Sequence, residues 1–184
     1  MTFVFYLVSG EVLSIEVRKG RNRNIVVAID NVSVAQRLSS LEEPFSIFSP
    51  GLAGIAKREE YVSDGVLLRT LARGDANLVL RNILLRLWGT EGWQSFMTDL
   101  LDVFPAVDLT VTFEPTTDEV IAVSVKLRRG SIPLEISGTG LLQAIQILAY
   151  IHRFAPRLIV LDEPDSHLHP EQSEAFVLTP TPGC

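Results

Sequence analysis

Two adjacent carboxylates, Asp162 and Glu163, end a continuous apolar run at residues 158–161 and precede Pro164. A run of this kind predicts a strand that is buried on both faces of a parallel sheet. Such a strand carries the carboxylates to the C-terminal edge of the sheet, where open parallel sheets bind ligands. The chemistry available to the pair is metal binding and general-base catalysis. Alternatively, the acidic pair and the proline only cap a turn.

A second set of residues precedes the last helical pattern of the chain, and its members are Ser137, Gly138, Thr139 and Gly140. We call residues 137–140 the small-residue turn. A turn that opens a helix presents backbone N–H groups, a hydroxyl and the positive helix end to one point, which describes an anion site. Taken alone, the turn is better explained as an N-cap whose glycines allow the entry angle. The helix is predicted to break before Pro156, and one crossover then places it beside the strand at 158–161.

The elements that must position these residues are predicted to form one α/β domain with a mixed sheet. In chain order the segments are an antiparallel meander (1–35), an irregular connector (36–62), a helical insertion (63–105), a hairpin with a further strand (106–136), the turn, helix and strand (137–172) and an aberrant or disordered tail (173–184). The insertion carries Trp93, Phe96, Met97, Leu100 and Leu101 at helical spacing, and we predict that this stripe is core.

The amino-acid composition limits the classes of protein to which this chain can belong. The chain has 184 residues with 47% apolar content and a net charge of −6, which fits a packed globule and does not favour a protein that coats polyanions. A short basic run at Lys126, Arg128 and Arg129 is a solvated strand end or a phosphate contact. Cys184 is the one cysteine, so a disulfide framework is excluded, and we expect a cytoplasmic protein. The apolar N-terminal run is too short to span a bilayer, so no membrane role is expected.

Two histidines, His167 and His169, lie close together after the acidic pair and raise the question of a zinc site. His152 is the other histidine of the chain, and no cysteine lies at ligand spacing. A zinc site normally takes four such ligands, so we do not predict one here.

Residues 136–172 resemble the signature motif, signature helix, Walker B strand and D-loop of AAA-type ATPases of the ABC-like group. These ATPases are related to the overcoming-lysogenization-defect nucleases and, more distantly, to the SMC and double-strand-break-repair ATPases. Residues 50–87 also resemble the segment that precedes the signature, so the resemblance covers about 48–172. It implies a partial P-loop NTPase fold with an N-terminal meander, a helical insertion, and then the signature helix and Walker B strand.

The resemblance also implies roles for single residues. Asp162 would hold Mg²⁺ through its water shell, and Glu163 would polarise the attacking water, because phosphoryl transfer needs both groups at one strand end. Ser137, Gly138, Thr139 and Gly140 would form the signature, which contacts the γ-phosphate of a nucleotide held by the partner subunit. Asp165, Ser166 and His167 would form the D-loop that crosses the dimer interface. The implied cofactors are ATP and Mg²⁺.

A P-loop, G-x-x-x-x-G-K-[ST], does not occur in this sequence, since Lys19, Lys57 and Lys126 all lie in other contexts. We therefore expect an ATPase domain truncated at both ends, inactive alone, that acts as a homodimer or with a P-loop-bearing partner chain. Its implied role is in DNA repair, restriction or phage defence, with DNA reached through the intact assembly. The alternatives are a non-catalytic degenerate fragment that acts through protein interaction, and a different α/β domain whose acidic pair serves another metal reaction.

Overall fold

The computed structural model describes residues 1–21, 24–50, 55–128 and 130–162, which contain eight β-strands and five α-helices. These residues form a mixed α/β fold, as the sequence predicts. The chain divides into two compact units, Met1–Phe45 and Ser46–Cys184, where the sequence suggested one domain. The tail predicted at 173–184 lies outside the described residues.

The first unit is built on the antiparallel meander that the sequence predicts. Strands β1 (Thr2–Tyr6), β2 (Val12–Lys19) and β3 (Ile25–Ile29) pair in the order β1-β2-β3. Gly10 turns the chain between β1 and β2 with a φ of 83°, a conformation that glycine adopts without strain. Helix α1 (Val32–Ser39) follows and was not predicted. It begins because the side chain of Asn31 accepts a hydrogen bond from the Val34 amide, which is an N-cap.

The second unit contains a parallel strand pair that brings together distant parts of the chain. Strand β4 (Ser46–Ser49) lies where the sequence predicted an irregular connector. It pairs in parallel with β8 (Leu158–Leu161), the strand that the apolar run predicts. The prediction that β8 is buried on both faces is wrong, since Val160 is 46% exposed. Among the described strands β8 pairs with β4 alone.

An antiparallel three-stranded sheet completes the β structure of the second unit. Its strands are β5 (Asp108–Thr112), β6 (Ala122–Leu127) and β7 (Gly130–Pro133), paired in the order β5-β6-β7. The hairpin predicted from the sequence is therefore confirmed. Leu109, Val111, Val123 and Val125 face the core, and the alternate positions face outward.

Four helices form the core of this unit, which are α2 (Asp64–Ala72), α3 (Leu80–Leu87), α4 (Glu91–Val103) and α5 (Thr139–Phe154). Trp93, Phe96 and Leu100 of α4 are buried and Met97 packs against the same core, so the predicted stripe is confirmed at these residues. The prediction is wrong at Leu101, which is 40% exposed. Helix α5 packs against α3 and α4 and is buried all round from Leu141 to Tyr150. It ends at Ala155, directly before Pro156. None of the helices in the described ranges is both long and apolar enough to cross a membrane.

Candidate functional site

The candidate site lies where strands β4 and β8 end. The two strands run in parallel with Ser49 opposite Leu161, so their carboxyl ends reach the same edge. Asp162 follows β8 directly and is exposed. Its amide donates a hydrogen bond of 3.1 Å to the carbonyl oxygen of Ser49, which extends the pairing by one residue. Asp162 is thus fixed by its backbone at the edge that the sequence predicts.

Helix α5 is tied to this edge by a buried polar contact. Gln146 Nε2 donates a hydrogen bond of 3.0 Å to the Ser49 hydroxyl, and both residues are buried. A hydrogen bond in apolar surroundings fixes the position of its partners, because either group left unpaired would be costly. Sequence reasoning missed both residues. The available signal was the pair of glutamines, Gln143 and Gln146, inside a helix that is otherwise apolar from residue 141 to residue 149.

Replacing Gln146 with leucine should lower the free energy of unfolding by about 1–3 kcal/mol, because the buried Ser49 hydroxyl loses its partner. Urea denaturation followed by circular dichroism measures the change. Gln94→Leu is the matched control, since Gln94 is an exposed glutamine on α4. Equal stability of the two variants would show that the contact does not hold α5 to β4.

The small-residue turn connects a 3-10 turn at Leu134–Ile136 to the start of α5. The Ser137 hydroxyl donates a hydrogen bond of 2.7 Å to the Leu134 carbonyl, so it closes the preceding turn rather than the helix. Gly138 occupies the N-cap position, and no side chain caps the helix. Gly138 and Thr139 are exposed, and a Cβ built on Gly138 would meet nothing within 4 Å. The N-cap position of α5 is therefore exposed, which is compatible with both an anion site and a glycine N-cap.

The turn and the sheet edge are separate points on the surface. Thr139 and Gln146 are seven residues apart on α5, which is about 10 Å along the axis at 1.5 Å per residue. Gln146 is the residue of α5 that contacts Ser49, and the Ser49 carbonyl accepts the hydrogen bond from the Asp162 amide. The structure thus does not gather the small-residue turn and Asp162 around one small ligand. Glu163, Asp165, Ser166 and His167 lie outside the described residues.

Comparison with known families decides the assignment. The family described as "AAA domain, putative AbiEii toxin, Type IV TA system" matches residues 32–179, which is most of the chain. The chain belongs to this AAA-domain family. The matched range includes Asp162, Glu163 and the whole small-residue turn. No curated protein matches the chain.

A buried network of charged residues in this AAA domain connects the start of α3 to the segment that precedes the small-residue turn. Glu59 is 5% exposed, and its two oxygens accept hydrogen bonds from the backbone amides of Arg81 (2.9 Å) and Asn82 (2.7 Å) at the start of α3. Asn82 Nδ2 donates a third, of 2.8 Å. Burial raises the pKa of the Glu59 carboxyl, while these hydrogen bonds act in the opposite direction. Glu59 therefore binds the positive end of α3 as an internal cap.

Arg81 extends this network to the segment before Ser137. Its guanidinium donates to the Ala56 carbonyl (2.6 Å) and to the Glu135 carboxylate (2.8 Å), and the residue is 2% exposed. Glu135 lies in the 3-10 turn that leads into the small-residue turn. The sequence analysis did not single out Glu59, Arg81 or Glu135, because residues 22 and 54 positions apart show no local pattern.

A metal ion at the edge formed by the ends of β4 and β8 would need ligands in addition to the described side chains of this chain. Within those residues, no three His, Cys, Asp or Glu side chains lie close enough to hold an ion. Mg²⁺ is commonly bound by one or two carboxylates together with phosphate oxygens and water. Asp162 is suited to that kind of site, in which the nucleotide brings most of the ligands.

Proposed function

We propose that this AAA domain supplies the Walker B and signature parts of an ABC-like ATPase that binds and hydrolyses ATP with Mg²⁺. Asp162 would hold the Mg²⁺ ion, and the neighbouring Glu163 would polarise the attacking water. The observation that carries this proposal is the position of Asp162, whose amide bonds to Ser49 at the shared carboxyl end of β4 and β8. A carboxylate at that edge can meet a bound ligand without crossing the core.

The proposal includes a head-to-tail dimer in which each subunit completes the other's site. Support comes from the separation of about 10 Å along α5 between the small-residue turn and the level of Ser49. Ser137, Gly138, Thr139 and Gly140 would contact the γ-phosphate of the partner's nucleotide. The D-loop residues Asp165, Ser166 and His167 would then cross the interface between the subunits.

The phosphate cradle of this ATPase would come from outside the 184 residues, from a second chain or an adjoining segment. The sequence has no Gly-Lys-Ser/Thr context, so its own residues offer no P-loop for the outer phosphates. We therefore expect very slow ATP hydrolysis by these residues alone, because the phosphates are not positioned.

The biological role in this proposal is ATP-driven switching in DNA repair or phage defence, in the cytoplasm. It rests on the resemblance to the ABC-like ATPases related to the overcoming-lysogenization-defect nucleases. The family description adds a toxin of a type IV toxin–antitoxin system, which is compatible with a defence role. DNA would be engaged by the whole assembly.

Association that depends on Mg·ATP tests the proposal. The protein is purified from its native cells, so that any adjoining segment or partner chain is kept, and its sedimentation is measured with and without Mg·ATP. We expect Mg·ATP to strengthen dimer formation at least about tenfold, and Ser137→Arg to abolish the gain, because the added cation and bulk occupy the phosphate position.

Ser95→Arg is the control for this experiment, because Ser95 is an exposed serine on α4. It should leave the nucleotide effect unchanged. If Mg·ATP has no effect on sedimentation or on turnover, the alternative of a non-catalytic protein that acts through interactions is favoured. If Ser137→Arg associates like the wild type, the signature assignment is wrong.

A further inference from the structure

A cleft of about 380 Å³ lies on the second unit, away from the β4–β8 edge. It is bounded by the segment at residues 57–58, the beginning of β6, the end of β7 and the turn that follows. Its volume is typical of pockets that take small molecules. Neither Asp162, Ser49 nor any residue of the small-residue turn lines it. Any ligand of this cleft would thus be additional to the proposed nucleotide.

The charge of the cleft is opposite to that of the chain. Its charged lining residues are Lys57, Arg58, Arg81 and Glu135. Glu59 and Glu135 offset the charge of Arg81, so Lys57 and Arg58 give the cleft its positive charge. The chain as a whole carries −6. A concave site in which one sign of charge is in excess concentrates ligands of the opposite sign, so the cleft is suited to an anion.

The cations are available to a ligand to different degrees. Lys57 is exposed and makes no hydrogen bond or ion pair with any described residue. Arg58 has only a 3.9 Å contact with Glu119, and both side chains are largely exposed, so this pair contributes little. Arg81 is 2% exposed and is held by Glu135, Glu59 and the Ala56 carbonyl, so it contributes less to a ligand than Lys57 and Arg58 do.

Hydroxyl groups add neutral donors to the same cleft. Thr112, Ser124 and Ser131 line it from the outward face of β5, β6 and β7. Their hydroxyls form no hydrogen bonds with other residues in the part of the chain that the structure describes. Phosphate oxygens accept hydrogen bonds from hydroxyls, ammonium groups and guanidinium groups together, and charge assistance makes these bonds strong.

We infer that this cleft binds a phosphate group, carried either by inorganic phosphate or by a nucleotide. Lys57 and Arg58 provide the charge that is not already neutralised by the protein, and the three hydroxyls complete the donor set. Val120 and Pro133 provide apolar surface in the same cleft, against which a nucleobase could pack. Inorganic phosphate would use the polar groups alone.

Phosphate titration followed by amide chemical shifts in two-dimensional NMR tests this inference, with chloride holding the ionic strength constant. We expect saturable shifts at Ser124 and Ser131. The double variant Lys57→Ala/Arg58→Ala should raise the dissociation constant for phosphate at least about tenfold, because it removes two charge-assisted hydrogen-bond donors. Arg18→Ala/Lys19→Ala is the matched control, because it removes the same two charges from exposed positions on β2. The control should stay within about twofold of the wild type.

Two outcomes would overturn the inference, namely the absence of saturable shifts at millimolar phosphate, and equal weakening in both double variants. A competition arm with AMP distinguishes the two sources. Tighter binding of AMP than of phosphate supports the cleft as a nucleotide site, and binding of phosphate alone supports it as a site for free phosphate. Asp162→Asn should leave these affinities unchanged, so the result does not depend on the proposed ATPase.

Discussion

Replacing Glu59 with glutamine is expected to lower the free energy of unfolding by about 3 kcal/mol. Glu59 is buried and accepts hydrogen bonds from the amides of Arg81 and Asn82 and from the Asn82 side chain. A glutamine of the same shape turns an –NH₂ group toward one of these donors and leaves it without an acceptor. It also removes a carboxylate that lies 3.8 Å from the buried Arg81 guanidinium.

Urea denaturation at neutral pH measures this loss, and Glu60→Gln is its control. Glu60 is the adjacent residue in the chain and is exposed, so its replacement should change stability by no more than about 0.5 kcal/mol. If Glu59→Gln is no less stable than Glu60→Gln, Glu59 does not hold the start of α3.

The pH dependence of Glu59 follows from its burial, which raises the pKa above the ordinary value of 4.5. The folded state then binds the proton more tightly than the unfolded state does. The part of the stability that comes from this difference in proton binding is therefore complete below pH 4.5 and is lost as the pH rises through the raised pKa, whereas the hydrogen bonds to the carboxylate still stabilise the fold at neutral pH. The stability difference between wild type and Glu59→Gln should shrink over that range, and a difference that grows with pH would contradict the direction of the shift.

Replacing Asp162 with asparagine is expected to weaken the binding of Mg·ATP at least about tenfold, since a hydrogen bond or contact to a charged group contributes about 1.5–3 kcal/mol. Asn keeps the backbone contact with Ser49 and the shape of the side chain, so the sheet edge should stay intact. What it removes is the negative charge that a hard divalent cation and its water shell require.

Asp102→Asn is the control for this change, because Asp102 is an exposed aspartate on α4, outside the β4–β8 edge. Its affinity for Mg·ATP should equal that of the wild type. Both variants should unfold at the same urea concentration as the wild type, which separates loss of binding from loss of fold.

Local pattern was sufficient to predict the elements that carry the candidate site. A continuous apolar run indicated β8, and apolar residues at helical spacing indicated α3, α4 and α5. These signals depend on neighbours in sequence, so tertiary packing does not alter them. The position of Asp162 at a strand end followed from the same reasoning.

Short elements that depend on distant partners were not predictable in this way. Strand β4 has four residues followed by Pro50, and its partner β8 lies more than 100 residues later. Helix α1 has eight residues and buries only Val34. Pairing across such separations is decided by the packed structure, and a four-residue segment contains too few positions to show a period.

The burial of charged residues in the second unit could also not be predicted from the sequence. Glu59 and Arg81 look like ordinary surface charges, since charged residues are almost never fully buried unless they are paired. Their burial depends on Asn82 and Glu135, which meet them only in the folded chain. The exposure of Val160, where the sequence predicted burial, could not be foreseen for a similar reason. The number of strands that flank β8 cannot be determined from the residues of β8 itself.

The central claim is that the edge formed by β4 and β8 binds a metal–nucleotide complex through Asp162. Mn²⁺ can replace Mg²⁺, and its paramagnetism broadens the NMR signals of nearby amides even when binding is weak. Titration with Mn·ATP should broaden the amide signals of Ser49, Leu161 and Asp162 in the wild type and in Asp102→Asn, and not in Asp162→Asn. Sharp signals at these amides in the wild type, or equal broadening in Asp162→Asn, would contradict the account.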